Sequence, residues 1–123
     1  MHALVVDDSR AMRSILTRLL ETNGFSVAQA GDGQQALDLL ASGPLPDVAL
    51  GDWNMPVMDG RSFVSACRKD PRLRQVALMM TTTESEHDQI VKALAAGAHE
   101  YLITPFTPGD LLDKLSLLGF PAI

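Results

Sequence analysis

The chain has 123 residues, 46% hydrophobic and 20% charged, which suits one domain with its own core and no disulfide or metal staples. Its net charge of −5 argues against sequence-independent nucleic-acid binding, which needs clustered Lys and Arg against phosphates. No apolar run approaches the roughly 20 residues that span a bilayer, and no basic segment or small-residue cleavage site precedes the first apolar run, so neither membrane insertion nor secretion is indicated. The single cysteine, Cys67, excludes an internal disulfide framework and agrees with a reducing cytoplasm. The expectation is one cytoplasmic domain over residues 1–123 with no output domain of its own, a monomer or weak dimer.

Short apolar runs alternate with helical periodicity five times. Ala3-Leu4-Val5-Val6 reads as a buried strand ending in Asp7-Asp8. Ser9 can cap a helix whose Met12, Ile15, Leu16, Leu19 and Leu20 fall at helical spacing, and Asn23-Gly24 stops it. Phe25 to Ala28 gives a second strand. Asp32 then opens a helix with Ala36, Leu37 and Leu40 on one face, closed by Ser42-Gly43-Pro44. Asp47 to Gly51 is a third strand that delivers Asp52 at its end. Pro56 and Gly60 break the stretch from Trp53 to Gly60 into a loop, before a helix carrying Phe63, Val64 and Cys67. Val76 to Thr81 makes the fourth strand, with Thr82 at its end, and a helix with Ile90, Ala93, Leu94 and Gly97 on one face follows. Glu100 to Ile103 is the fifth strand, ended by Thr104-Pro105. The last helix sets Leu111, Leu112, Leu115 and Leu118 against the core. Five such units with near-continuously apolar strands imply a parallel α/β sheet covered on both faces, doubly wound by right-handed crossovers.

In such sheets ligands sit beyond the carboxyl ends of the strands, at the switch in strand order. Asp7, Asp8 and Asp52 land there, and three unpaired carboxylates would repel until one took up a proton. A divalent cation resolves that conflict. Oxygen-only ligands at partial occupancy suit Mg²⁺, and a carboxylate beside such an ion is a credible nucleophile for forming an aspartyl phosphate. The Thr82 hydroxyl is a candidate to hydrogen-bond a phosphoryl oxygen, although on its own it reads as a strand-end hydroxyl in the run Thr81-Thr82-Thr83. Tyr101, the only tyrosine, reads on its own as packing on the last strand. His2, His87 and His99 fall on unrelated elements, so no transition-metal cluster is indicated.

The Asp7-Asp8 pair, the segment Asp52-Trp53-Asn54-Met55-Pro56-Val57-Met58-Asp59-Gly60, Thr82, Tyr101 and Pro105-Phe106 together resemble the response-regulator receiver domains, most closely their free-standing chemotaxis members. The likeness covers essentially the whole chain. It implies a flavodoxin-like (βα)5 fold with strand order 2-1-3-4-5. It implies that Asp52 is the phosphoacceptor, served by a histidine kinase, a phosphotransfer protein or a small phosphodonor. Asp8, Asp52 and the backbone carbonyl of Asn54 would bind Mg²⁺, with Asp7 acting largely through water. Thr82 and Tyr101 would couple the site to a face made by the fourth helix, fifth strand and fifth helix, where a downstream protein docks. Asn54 and Glu84 would influence how quickly the phosphoryl group is hydrolysed.

Two departures stand out against that family. Where it carries a lysine before the strand-ending proline, this chain has Thr104, so the site loses a positive charge and reach, and the phosphorylated state should be less favoured. A cis Thr104–Pro105 bond stays possible, since that preference belongs to proline. Arg10 and Arg61 lie in neighbouring segments, and nothing in the sequence brings either to the site. Thr83 is bulkier than the family's usual residue and would narrow the path for attacking water. A phosphorylation-independent protein-binding module is the alternative that Thr104 raises. A turnover phosphatase is disfavoured, because the position two residues after the nucleophile, where such enzymes keep a general acid, is Asn54.

Overall fold

Among the described residues, four α-helices start on a polar side chain that accepts a hydrogen bond from an otherwise orphaned backbone N–H. In the computed structural model, which describes residues 1–83 and 87–120, these caps are Ser9, Asp32, Asp59 and Thr107, and they open α1 (Arg10–Thr22), α2 (Gly33–Ser42), α3 (Gly60–Lys69) and α5 (Pro108–Leu117). Thr107 and Asp110 form a reciprocal capping box. Between the helices run β1 (His2–Val6), β2 (Ser26–Ala30), β3 (Val48–Asp52), β4 (Ala77–Thr83) and β5 (Glu100–Thr104), with α4 (His87–Ala96) joining the last two strands.

The strands pair in parallel in the order β2-β1-β3-β4-β5, so the doubly wound topology expected from the alternation is what the chain adopts. Side chains alternate across each strand. Ala3 and Val5 of β1 join a core layer with Leu16 and Leu20 of α1 and Leu111 and Leu115 of α5. Leu4 and Val6 point to the opposite layer, with Ala36 and Leu40 of α2, Phe63 and Val64 of α3 and Ala93 of α4. Cys67 is buried in that second layer, and burial pushes its thiol pKa up to about 11, so it is the packing residue its helix-face spacing suggested.

Some sequence expectations need correction. Ile15 and Leu94 have apolar spacing yet are 50% and 42% exposed, because each lies at the edge of its helix's buried stripe. Gly97 falls beyond the end of α4 with φ 120°, and a Cβ there would stand 2.5 Å from Cγ of Arg68. Glycine is required at that point by both backbone and space. Strands β4 and β5 each run further than the apolar runs implied, to Thr83 and Thr104, which pair with one another. The Thr104–Pro105 peptide is cis.

His99 extends the β4–β5 ladder at its other end. Its backbone N–H donates to the Leu78 carbonyl at 2.8 Å, and its Nδ1 accepts the Leu78 N–H at 3.0 Å. Only the neutral ring can accept there. Burial, and then the nearby Arg68 charge, hold the His99 pKa below its ordinary value. A pKa depressed by folding means stability that is intact above about pH 6.5 and lost as pH falls through the folded value. Denaturant unfolding at pH 8 and pH 5 should therefore show a loss at the lower pH, and His99→Gln, which keeps an acceptor that does not titrate, should reduce that loss. An unchanged pH slope in the variant would exclude His99 as its source.

Candidate functional site

The pairing of β1 with β3 matches Val6 with Gly51, so the residues that follow, Asp7 and Asp52, emerge side by side at the carboxyl end of the sheet. Asp7 is 5% exposed, Asp52 half-buried and Asp8 exposed. One carboxylate oxygen from each of the three lies within 4.8 Å of the others. Local hydrogen bonds orient two of them. An oxygen of Asp7 accepts the Ser9 N–H at 2.8 Å, and an oxygen of Asp52 accepts the Asn54 N–H at 3.0 Å.

Burial raises the Asp7 pKa above the usual carboxylate value, and the neighbouring Asp8 charge adds to the rise against the opposing Ser9 N–H. Arg13 stands behind this group, yet its guanidinium donates to the Asp7 main-chain carbonyl at 2.6 Å and to Gln29 at 3.3 Å. A buried carboxyl, two partner carboxylates and hard oxygen donors fit a small divalent cation of the Mg²⁺ kind. Histidine and cysteine, which would favour a softer metal, are absent from the cluster.

The acids open into a cleft of about 260 Å³ whose wall includes Asn54, Thr82, Thr83 and Thr104. Thr82 is 5% exposed. The Thr104 hydroxyl donates to the Thr82 main-chain carbonyl at 3.2 Å, closing the end of the β4–β5 ladder. Among the described residues no lysine or arginine lines the cleft. Arg10 is not part of its wall, and Arg61 instead sits near Asp59. Glu84 lies outside the described residues.

Tyr101 is not in the cleft. It borders a separate hollow of about 370 Å³ between β5 and α5, with the Lys114 ammonium 3.9 Å from the ring centroid. Lys114 also bonds Glu100 at 3.0 Å, and the same Glu100 oxygen accepts the Tyr101 N–H at 3.0 Å. Spacing gives no hint of this arrangement, because Lys114 belongs to a different element. The spacing of Asp59 from Ser62, before an apolar helical run, is a helix-cap signal. Asp59 stands three residues before Ser62, whose N–H it accepts at 2.8 Å, and that bond lowers its pKa. Despite its place in the loop beyond Asp52, Asp59 is a helix cap and no member of the acid cluster.

The sequence profile of the response regulator receiver domain matches residues 3–116. The chain is 42% identical over 116 residues to the chemotaxis protein CheY of Pseudomonas aeruginosa, covering 94% of this chain and 93% of that one. It is 38% identical over 119 residues to the chemotaxis protein CheY1 of Helicobacter pylori, covering 96% of each. The crystal structure of the chemotaxis response regulator CheY4 of Vibrio cholerae superposes with a TM-score of 0.88 at 35% identity, covering 95% of this chain and 97% of that one.

Asp7 makes the acid cluster testable by pH. A carboxyl whose pKa folding raises contributes its stability below the ordinary value near 4, and that contribution is lost as pH rises through the folded value. In EDTA at pH 7, Asp7→Asn should melt higher than the parent chain, with the difference shrinking as pH approaches 3. A variant that melts lower at pH 7 in EDTA would show that the cluster is not under charge strain.

Proposed function

The chain belongs to the response regulator receiver domain family, and from that premise we propose that Asp52 accepts a phosphoryl group, with Mg²⁺ held by the acid cluster, to switch a protein-binding face. The observation that carries this reading is the convergence of three carboxylate oxygens within 4.8 Å at the ends of β1 and β3. The register brings these positions together, but packing does not require acids at them, and like charges so close repel. A bound cation and a transferred phosphoryl group give that concentration of charge a purpose.

Asp8, Asp52 and the Asn54 carbonyl are the ligands proposed for Mg²⁺, with Asp7 acting through water. When bound, the ion supplies charge neutralisation and orients the transferring oxygens. The Asp52 carboxylate attacks phosphorus on a phosphohistidine of a kinase or phosphotransfer partner; the donor P–N bond breaks and the imidazole leaves with its electron pair. The Asn54 N–H fixes the rotation of the attacking carboxylate. Thr82, on the cleft wall, donates its hydroxyl to a phosphoryl oxygen, while Thr83 at the rim restricts water. Glu84 is assigned, with Asn54, to tuning hydrolysis.

The output surface is assigned to α4, β5 and α5. Val91 on α4 and Leu117 on α5 are 56% and 72% exposed, and large apolar side chains on these two helices suit a protein partner better than solvent. Tyr101, held beneath Lys114 on β5, is the switch residue of that face. We assign the output to chemotaxis signalling, a reading supported by relatives named as chemotaxis proteins. The lack of a lysine or arginine in the cleft wall among the described residues, with Thr104 turned onto the Thr82 carbonyl, favours a second reading, in which the face binds its partner without phosphorylation.

Intact mass after incubation with a small phosphodonor separates the two. Gain of one phosphoryl group that requires Mg²⁺ and disappears in Asp52→Asn is expected; equal labelling of the variant would remove Asp52 from the role. A chain that takes up nothing from either a small donor or a phosphorylated kinase would favour the binding module. Thr104→Lys restores an ammonium able to make charge-assisted bonds to the phosphoryl group, and it should raise the ratio of phosphorylated to free protein about tenfold, equivalent to ~1.4 kcal/mol. No rise in that ratio would mean that Thr104 is not what limits the phosphorylated state.

A further inference from the structure

Trp53, the single tryptophan, directly follows Asp52 and is pinned on several sides. Its N–H donates to the Thr81 carbonyl of β4 at 2.9 Å, and its own carbonyl accepts the Gly60 N–H at the start of α3 at 2.9 Å. Gly60 packs so closely that a Cβ there would stand 2.6 Å from the Trp53 Cα and 2.9 Å from the Asp52 carbonyl oxygen. The main chain at Asp52–Trp53 therefore cannot shift without moving β4 or α3.

The indole is 5% exposed and shares a core layer with Phe63, Met80 and Ala93. A buried indole N–H is a donor only and needs an acceptor. That acceptor is Oε1 of Gln89, 36 residues away in the chain and in the first turn of α4. Packing alone would hold the ring. The hydrogen bond adds direction, because it ties one particular point of α4 to the residue beside Asp52.

We infer that Gln89 is a positioning residue that couples α4 to the Asp52 loop through the Trp53 indole, by a route separate from Thr82 and Tyr101. The consequence for signalling rests on the phosphoacceptor reading above; the mechanical tie does not. With the main chain at Asp52–Trp53 pinned by β4 and α3, a change of charge or bonding at Asp52 is taken up by the Trp53 side chain, and the indole N–H bond to Gln89 delivers it to α4. The route needs an acceptor at position 89, and it needs neither glutamine's amide NH₂ nor a neutral group.

The test uses the full chain and needs no phosphorylation. One tryptophan gives one indole N–H resonance, so its solvent exchange can be followed without ambiguity. Gln89→Leu should accelerate that exchange at least tenfold, and Gln89→Glu, which keeps an oxygen acceptor, should hold it near the parent rate. Equal exchange in the parent and in Gln89→Leu would overturn the tie. Transmission is read from the amide shifts of Val91 to Ala95 caused by Asp52→Asn. Those shifts should fall at least threefold in the Gln89→Leu background and persist in the Gln89→Glu background. Undiminished shifts with Gln89→Leu would overturn the coupling. Because Asp52→Asn is itself the perturbation, failure of the chain to accept phosphate would sink the proposed function and leave this result standing.

Discussion

Because β1 and β3 run parallel and match Val6 with Gly51, the next residue outward on each strand is an aspartate. Their carboxylates then approach within 4.8 Å. Two like charges at that separation repel by roughly 3 to 4 kcal/mol at the effective dielectric near a protein surface, less where solvent reaches Asp52. A one-residue slip of register would send one of the pair to the other face of the sheet. The two core layers prevent that slip, since alternate residues of β1 are committed to opposite sets of helices. The site is thus charged by the same packing that makes the sheet stable, and the repulsion is held in place by apolar burial elsewhere.

The far side of the cleft is built in a different way. Thr82 and Thr104 sit at the ends of β4 and β5, where their register holds to the last residue and a hydroxyl-to-carbonyl bond closes it. Acids on one wall thus face hydroxyls on the other. Under the phosphoacceptor role proposed above, a bound cation would then be the main positive charge near a phosphoryl group among the described residues, and the balance between phosphorylated and free states would lean more heavily on the ion than on the protein. The Lys114 ammonium lies instead on the β5–α5 face, fixed between Glu100 and the Tyr101 ring. Its attraction to both partners stabilises the tyrosine where it stands.

The alternation of strands and helices, the caps Ser9 and Asp32, and the placing of Asp7, Asp8 and Asp52 were all legible in the sequence, because each follows from local spacing or from a general rule about strand ends. Strand ends were less so. The polar run Thr81-Thr82-Thr83 looked like the close of a strand, yet backbone pairing with β5 carries it on, and ladder bonds do not depend on side-chain polarity. Ile15 and Leu94 satisfied a helical period without being buried, since periodicity marks a stripe and only packing sets its width. The contacts Gln89–Trp53 and Lys114–Tyr101 were beyond reach for a simpler reason. Each joins residues on separate elements, and their meeting depends on how helices settle against the sheet.

Cys67 adds a consequence of another kind. A thiol with a pKa of about 11 is thiolate in roughly one molecule in ten thousand at neutral pH, and Cys67 is 1% exposed on the buried face of α3. Peroxide and electrophiles react with the thiolate, so this cysteine is shielded twice, by chemistry and by access. An oxidative burst that modifies reactive thiols in neighbouring proteins would pass this one by, and a single cysteine introduced on its surface would take a thiol-directed probe with almost no background from the native residue.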